Sequence, residues 1–282
     1  GIYLYHYSDN NTLTNNTCFN NWCGIYLYHY SDNNTLTNNT CDNNDYGIQL
    51  CLSSNNTLTN NICGNNSVGI NLYEGGCNNN TLSNNTCDNN SLHGIRLELF
   101  SSNNTLSNNT CDNNSYYGIE LCNSSNNTLS NNTCGNNGGG IELYYSSNNT
   151  LTNNTCSNSY NGIWLWYSDN NRISNNTSKN NDYGIYLYSS DNNRIYHNDF
   201  INNTNQANDD GSNFWDNDYP SGGNYWSDYT GVDKYRGENQ NILGSDGIGD
   251  APYYISGDNN KDRYPFMGLS LIADWNLVSF PV

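Results

Sequence analysis

Positive charge is scarce in this sequence. Its 282 residues include only 8 Lys+Arg against 26 Asp+Glu, for a formal net charge of -18. A surface so short of cations cannot neutralise a phosphate backbone or anionic lipid headgroups, so nucleic acid and acidic membranes are poor partners. The charge instead favours solubility and attraction of cations. Long apolar runs are also missing, and no stretch approaches the roughly 18 residues a membrane helix needs. No initiator Met or secretory leader is present, because Gly1-Ile2-Tyr3-Leu4-Tyr5 already belongs to the repeat described below. The sequence therefore reads as a mature, processed or partial chain, expected outside the cell or at its surface. Proline is rare, with the first at Pro220.

What the chain has in abundance is Asn, roughly a quarter of its residues, arranged in a repeat. Gly-Ile recurs at Gly1, Gly24, Gly47, Gly69, Gly94, Gly118, Gly140, Gly162 and Gly184, in steps of 23, 23, 22, 25, 24, 22, 22 and 22 residues. Each unit reads G-I-x-L, a loop, then N-x-L-x-x-N-x-C-x-x-N. The aliphatic position runs Leu13, Leu36, Leu58, Leu82, Leu106, Leu129, Leu151, Ile173 and Ile195. Asn stands two residues before it and three after it in every unit, and eight after it in all but one, where Ser159 stands.

In I-x-L the two aliphatic residues share one face of a strand. The two following units supply two more short strands, with a corner near each Asn. Three strands per turn make a prism whose turns stack at about 4.8 Å, so nine coils over residues 1–205 run on the order of 40 Å. Like residues lie above one another, so corner Asn residues form amide ladders. The expected fold is an all-β, right-handed, single-stranded parallel β-helix with a C-terminal cap. A disordered Asn-rich tract would not hold an aliphatic residue at one position through nine units.

The repeat G-I-x-L-x-x-S-x-N-N-T-L-x-N-N-T-C resembles the parallel β-helix repeats of NosD-like and related carbohydrate-associated proteins. The resemblance covers about residues 1–205 and implies the fold; it also implies a surface protein of the kind found in archaea, methanogens especially. The NosD name implies copper, yet one Met and four scattered His offer no evident copper site in the sequence.

Composition changes after residue 205. The segments Asn213-Phe214-Trp215-Asp216, Asn224-Tyr225-Trp226-Ser227-Asp228-Tyr229 and Asp246-Gly247-Ile248-Gly249-Asp250 resemble a tail that closes archaeal β-helix proteins. Residues 206–266 are thus expected to cap the exposed last coil. Residues 267–282 are expected to add a strand or two, or to begin a further domain.

Several side-chain columns follow from the register. Cys18, Cys41, Cys63, Cys87, Cys111, Cys134 and Cys156 share one position, followed by Ser178 and Phe200, and read as a buried ladder of free thiols. Cys23, Cys51, Cys77 and Cys122 fall outside it and are candidates for disulfides between subunits. The outward columns of the first strand read Tyr3, Tyr26, Gln49, Asn71, Arg96, Glu120, Glu142, Trp164, Tyr186 and Tyr5, Tyr28, Cys51, Tyr73, Glu98, Cys122, Tyr144, Trp166, Tyr188. Their aromatic members form a subunit-contact or glycan-contact face, since exposed aromatics on this scale seldom lack a partner. Glu98, Glu120 and Glu142 are weak catalytic candidates; one rung of about 5 Å between Glu120 and Glu142 suits a retaining glycosidase pair. Asn10, Asn15, Asn33, Asn38, Asn55, Asn79, Asn84, Asn103 and Asn108 open N-x-T sequons and are candidate glycosylation sites. Asp246, Asp250, Asp258 and Asp262 are a weak calcium candidate, and no other cofactor is expected.

Near-identical coils and sparse catalytic residues lead to the expectation of a non-catalytic structural subunit of a filament, sheath or surface layer that self-associates into a homopolymer. The alternative is a β-helix that binds or cleaves polysaccharide through the aromatic and Glu face of its first strand.

Overall fold

The computed structural model describes residues 1–257 and 260–269, and these form β-strands and turns without a helix. None of the described residues forms a helix long and apolar enough to cross a membrane. The strands build a parallel solenoid in the expected register: Ile2 pairs with Ile25, Leu4 with Leu27 and Leu13 with Leu36. The first sheet runs from Ile2–Tyr5 through one strand per coil to Asn205–Asp209, and Ser256–Gly257 adds an eleventh strand at its end. The second sheet holds nine strands, from Thr12–Thr14 to Arg194–Tyr196. The third begins with Thr17–Phe19 beside Thr40–Asp42 and ends with Tyr225–Trp226. Between these it thins to single bridges such as Thr86 to Thr110.

Inside, Ile25, Leu27, Leu36 and Cys41 of one coil are sealed from solvent, and the same four columns repeat up the stack. The invariant Gly has a packing reason. A Cβ on Gly94 would sit 2.6 Å from the Gly118 carbonyl and 2.9 Å from the Cys111 Cβ, so only Gly lets the strand pass the thiol column.

Many corner Asn residues are bonded on both sides, although the side-chain nitrogens of Asn34 and Asn56 are buried without a partner. Asn132 shows the pattern: its backbone N–H and its Nδ2 donate to Asn154 Oδ1 (3.0 and 2.9 Å), and Nδ2 also donates to the Leu106 carbonyl (3.0 Å). Its own Oδ1 accepts from the backbone and side chain of Asn109 below. The preceding Asn of each N-N pair takes a left-handed φ near +55°, as Asn131 does at +56°, which turns the chain at the corner. The sequon residues Asn10, Asn15, Asn33, Asn38, Asn55, Asn79, Asn84, Asn103 and Asn108 occupy these positions, and all are exposed.

Two features differ from expectation. The solenoid does not stop near residue 205. A tenth coil continues through Trp226, with Asn213 accepting from Asn193 N (2.8 Å), Asn224 accepting from Asn198 N (3.0 Å) and Trp226 stacked on Phe200. It is hidden in the sequence because Gly-Ile becomes Gln206-Ala207 there and Trp215 and Trp226 follow Ile195 and Phe200 in their columns. The closing piece is therefore shorter than 206–266. It is pinned by buried Asp262, which accepts from Trp226 Nε1 (2.9 Å) and Asn224 N (2.7 Å), and by Arg263 paired with Asp216. Of the expected strands at 267–282, residues 270–282 lie outside the described residues.

The second difference concerns Cys77. It belongs to a buried inner column otherwise made of Ser31, Ser53, Ser101, Ser124, Ser146, Ser168 and Ser190, and its Sγ donates to the Tyr73 carbonyl (3.4 Å). It stands five residues before Leu82, as Ser53 does before Leu58 and Ser101 before Leu106, so the longer loop shifts it only relative to Gly69.

Candidate functional site

The outer face of the first sheet is a continuous strip whose middle and ends differ. In the middle, the register stacks Arg96 on Glu120 and Glu120 on Glu142. Arg96 Nε donates to Glu120, and its Nη1 lies 3.2 Å from Glu98 Oε2. Burial pulls the guanidinium pKa down, but these two carboxylates outweigh it and hold it above its usual range. Glu120 and Glu142 are only 7% and 5% exposed. Burial, with Glu120 as a like-charged neighbour, pushes Glu142 up to about 8, so its carboxyl is protonated at neutral pH. Burial likewise raises Glu120 against the pull of Arg96. Glu120 and Glu142 are paired across neighbouring strands, and Tyr117 opens the strand that carries Glu120.

His93 Nε2 lies 3.6 Å from Glu120 Oε2. Burial and Arg96 push its pKa down to about 3, so the contact involves a neutral imidazole and is no ion pair. Glu120 and Glu142 stand on adjacent rungs, as the register of the repeat leads one to expect.

The ends of the strip are aromatic. Tyr3 stacks on Tyr26 at 5.1 Å and Tyr5 on Tyr28 at 5.5 Å, with Trp22 edge-on to Tyr26. Towards the C-terminal end, Trp164 stacks on Trp166 at 5.3 Å, Tyr144 and Tyr188 meet Trp166 edge-on, and Tyr186 meets Trp164. Tyr73 lies between these groups, in the rung after Cys51. Sequence reasoning missed the flanking rings Trp22, Tyr46, Tyr117, Tyr145 and Tyr167: Tyr46 and Tyr117 open first-sheet strands, and the other three lie just outside them.

Polar atoms on this strip lack partners. Gln49 Oε1, Asn71 Oδ1, His93 Nδ1, Asn161 Oδ1, Trp164 Nε1 and Trp166 Nε1 are buried without a hydrogen bond, and all six belong to first-sheet strands. A buried polar atom left unpaired costs about 1–3 kcal/mol.

The four non-ladder Cys were expected to be exposed, but Cys23, Cys51 and Cys77 are buried and Cys122 is half-buried. Cys23 Sγ donates to the Ile25 carbonyl (3.1 Å), and Cys51 Sγ to Glu74 Oε2 (3.1 Å). Disulfides between subunits would require these thiols at the surface, so Cys23, Cys51 and Cys77 are unsuited to them. The inward column Cys18, Cys41, Cys63, Cys87, Cys111, Cys134 and Cys156 is buried as expected.

The cap carboxylates do not gather. Asp246 accepts from Ile248 N, Asp250 from Lys234 N and Tyr235 N, and Asp262 from the Trp226 cluster; Asp258 lies outside the described residues. One donor cluster of metal-binding character does form among the described residues. The ligand atoms of His29, Cys51 and Glu74, from three successive coils, lie within 4.8 Å of one another.

Residues 76–231 match the family described as "Periplasmic copper-binding protein (NosD)", and residues 1–111 match the "Right handed beta helix region". The chain belongs to the NosD family of right-handed parallel β-helices. No curated protein matches it in sequence. Among solved structures it is similar to the catalytic domain of a GH87 α-1,3-glucanase bound to tetrasaccharides (TM-score 0.58, 18% identity, covering 77% of this chain and 50% of that one). It is also similar to the surface protein and adhesin PfbA of Streptococcus pneumoniae (0.55, 18%, 74% and 66%) and to the periplasmic alginate epimerase AlgG (0.53, 17%, 68% and 55%). The chain spans about half the length of the structures it matches first.

These findings correct the expected function. The matched solenoids are epimerases, a glucanase and an adhesin, not filament, sheath or surface-layer subunits, and the carbohydrate alternative fits better. Enzymes and an adhesin share the fold, so the fold alone decides neither for nor against catalysis. The periplasmic family and the periplasmic and surface neighbours point to an extracellular or periplasmic setting.

Proposed function

We propose that this chain binds a neutral polysaccharide along the outer face of its first sheet. The observation that carries the reading is the pair of aromatic clusters on that face, Tyr3, Tyr5, Tyr26 and Tyr28 at one end and Tyr144, Trp164, Trp166 and Tyr188 at the other. Partly exposed Tyr and Trp rings of this kind offer stacking surfaces to the C–H faces of sugars. Charge argues for a neutral chain. Arg96 is already balanced by Glu98 and Glu120, and a net charge of -18 repels a polyuronate.

Chemistry on the bound glycan is a second reading, favoured by Glu142, a carboxyl still protonated near neutral pH that could act as a general acid.

Affinity electrophoresis against neutral glucans, mannans, xylans and alginate tests the binding. Retardation by a neutral glycan, weakened at least about tenfold in the double variant Trp164→Ala/Trp166→Ala, is the expected result. Equal mobility in every gel would overturn the proposal. Product analysis with wild type and Glu142→Gln separates binding from turnover.

A further inference from the structure

We infer that His29, Cys51 and Glu74 form a binding site for a d-block cation of borderline softness, copper or zinc, at the coil-to-coil edge of the first sheet. The three residues are 22 and 23 positions apart in sequence, and the parallel register converts that spacing into neighbouring rungs. Cys51 ends the strand Tyr46–Cys51. His29 and Glu74 stand one residue beyond the strands Cys23–Tyr28 and Val68–Tyr73, each with a left-handed φ (+52° and +55°). These turned residues, from the coil before and the coil after, come to the thiol between them, and all three ligand atoms fall within 4.8 Å of one another.

The donor set defines the cation. One thiol, one imidazole and one carboxylate suit copper or zinc, whereas calcium and magnesium take oxygen ligands. Three protein ligands leave a further position open, as in reactive zinc sites. Cys51 also departs from its column: its neighbours in the rungs before and after are Tyr28 and Tyr73. Its Sγ faces the Glu74 carboxylate at 3.1 Å, an arrangement in which a cation replaces the thiol proton and that proton leaves to solvent. The His29 ring is held by stacking on Tyr28 (3.9 Å between centroids), and a further imidazole, His6, stands 5.0 Å from it. The copper named in the family description is consistent with this donor chemistry. The site is separate from the carboxylate cluster around Arg96 and does not depend on glycan binding.

The test uses Zn2+ and Co2+, each added alone to the reduced whole chain. Calorimetry with Zn2+ is expected to give one equivalent per chain. Co2+ is expected to produce a near-ultraviolet thiolate-to-metal charge-transfer band. Cys51→Ser should abolish the band, and His29→Ala and Glu74→Gln should each weaken binding at least about tenfold. Cys122→Ser should leave both signals unchanged. Glu74 is exposed, so Glu74→Gln probes the site even if Cys51→Ser fails to fold. Absence of stoichiometric binding, or an unaltered cobalt band in Cys51→Ser, would overturn the inference.

Discussion

The corners of the solenoid and the outer face of its first sheet use the same amide side chains to opposite ends. At the corner, Asn132 satisfies the backbone and side chain of the coil below while its Nδ2 and N–H find partners of their own. On the face, Gln49 and Asn71 are just as buried, at 4% and 2% exposure, yet each leaves its carbonyl oxygen unpaired. The contrast is one of degree, since Asn34 Nδ2 and Asn56 Nδ2 at the corners are also buried without a partner.

The sharpest way to break this comparison is to delete one amide from each region. Asn132→Ala removes the partner of the Asn109 backbone N–H, one of the two partners of Asn109 Nδ2, and the side-chain donor to the Leu106 carbonyl, and should destabilise by about 3 kcal/mol. Asn71→Leu should change stability by less than about 1 kcal/mol, or raise it, because an unpaired polar oxygen is removed. Urea midpoints of both variants decide the matter; equal losses would erase the distinction.

A pH titration gives a smaller effect. The folded state holds Glu142 up to about 8 against an ordinary value of 4.5, so between those values it keeps a proton that the unfolded chain has lost. Its contribution to stability is therefore complete below about 4.5, declines as pH rises and is gone above about 8, at up to about 1.4 kcal/mol per unit. Glu142→Gln should flatten that part of the stability curve, and chemical denaturation at pH 5, 7 and 9 measures the slope.

The smallest expected signal is chemical labelling. Brief iodoacetamide treatment of the native reduced protein should alkylate Cys122 well ahead of the buried thiols, read as a predominant single adduct by intact mass. Rapid modification of several Cys would contradict the sealed thiol columns.

The fold is legible in the sequence because nine units keep Gly-Ile, Leu and Asn at fixed offsets, and stacking turns offset into contact. The pairing of Glu120 with Glu142 and the two aromatic ends can be read in the same way. What escapes depends on the third dimension of the side chains. Alternation along a strand says nothing about rings at or just beyond its ends, such as Tyr117 and Tyr145. Cys77 can be placed by counting back five from Leu82, whereas the tenth coil is hidden because Trp215 and Trp226 follow Ile195 and Phe200 in their columns. His29 and Glu74 are invisible as partners of Cys51 because left-handed turns bring side chains from outside the strands to it.

The constant register makes the molecule a ruler with a fixed graduation. Residues 140–161 form a whole coil between Gly139 and Gly162, and both junctions fall at the same phase of the repeat. Excising them would slide the Trp164–Trp166 pair one step, about 4.8 Å, towards the N-terminal tyrosines while every ladder re-closes. The reach of the strip is thus set in whole steps by coil number, so descendants of a common array could differ in the ligand length they accept with no change in any contacting residue.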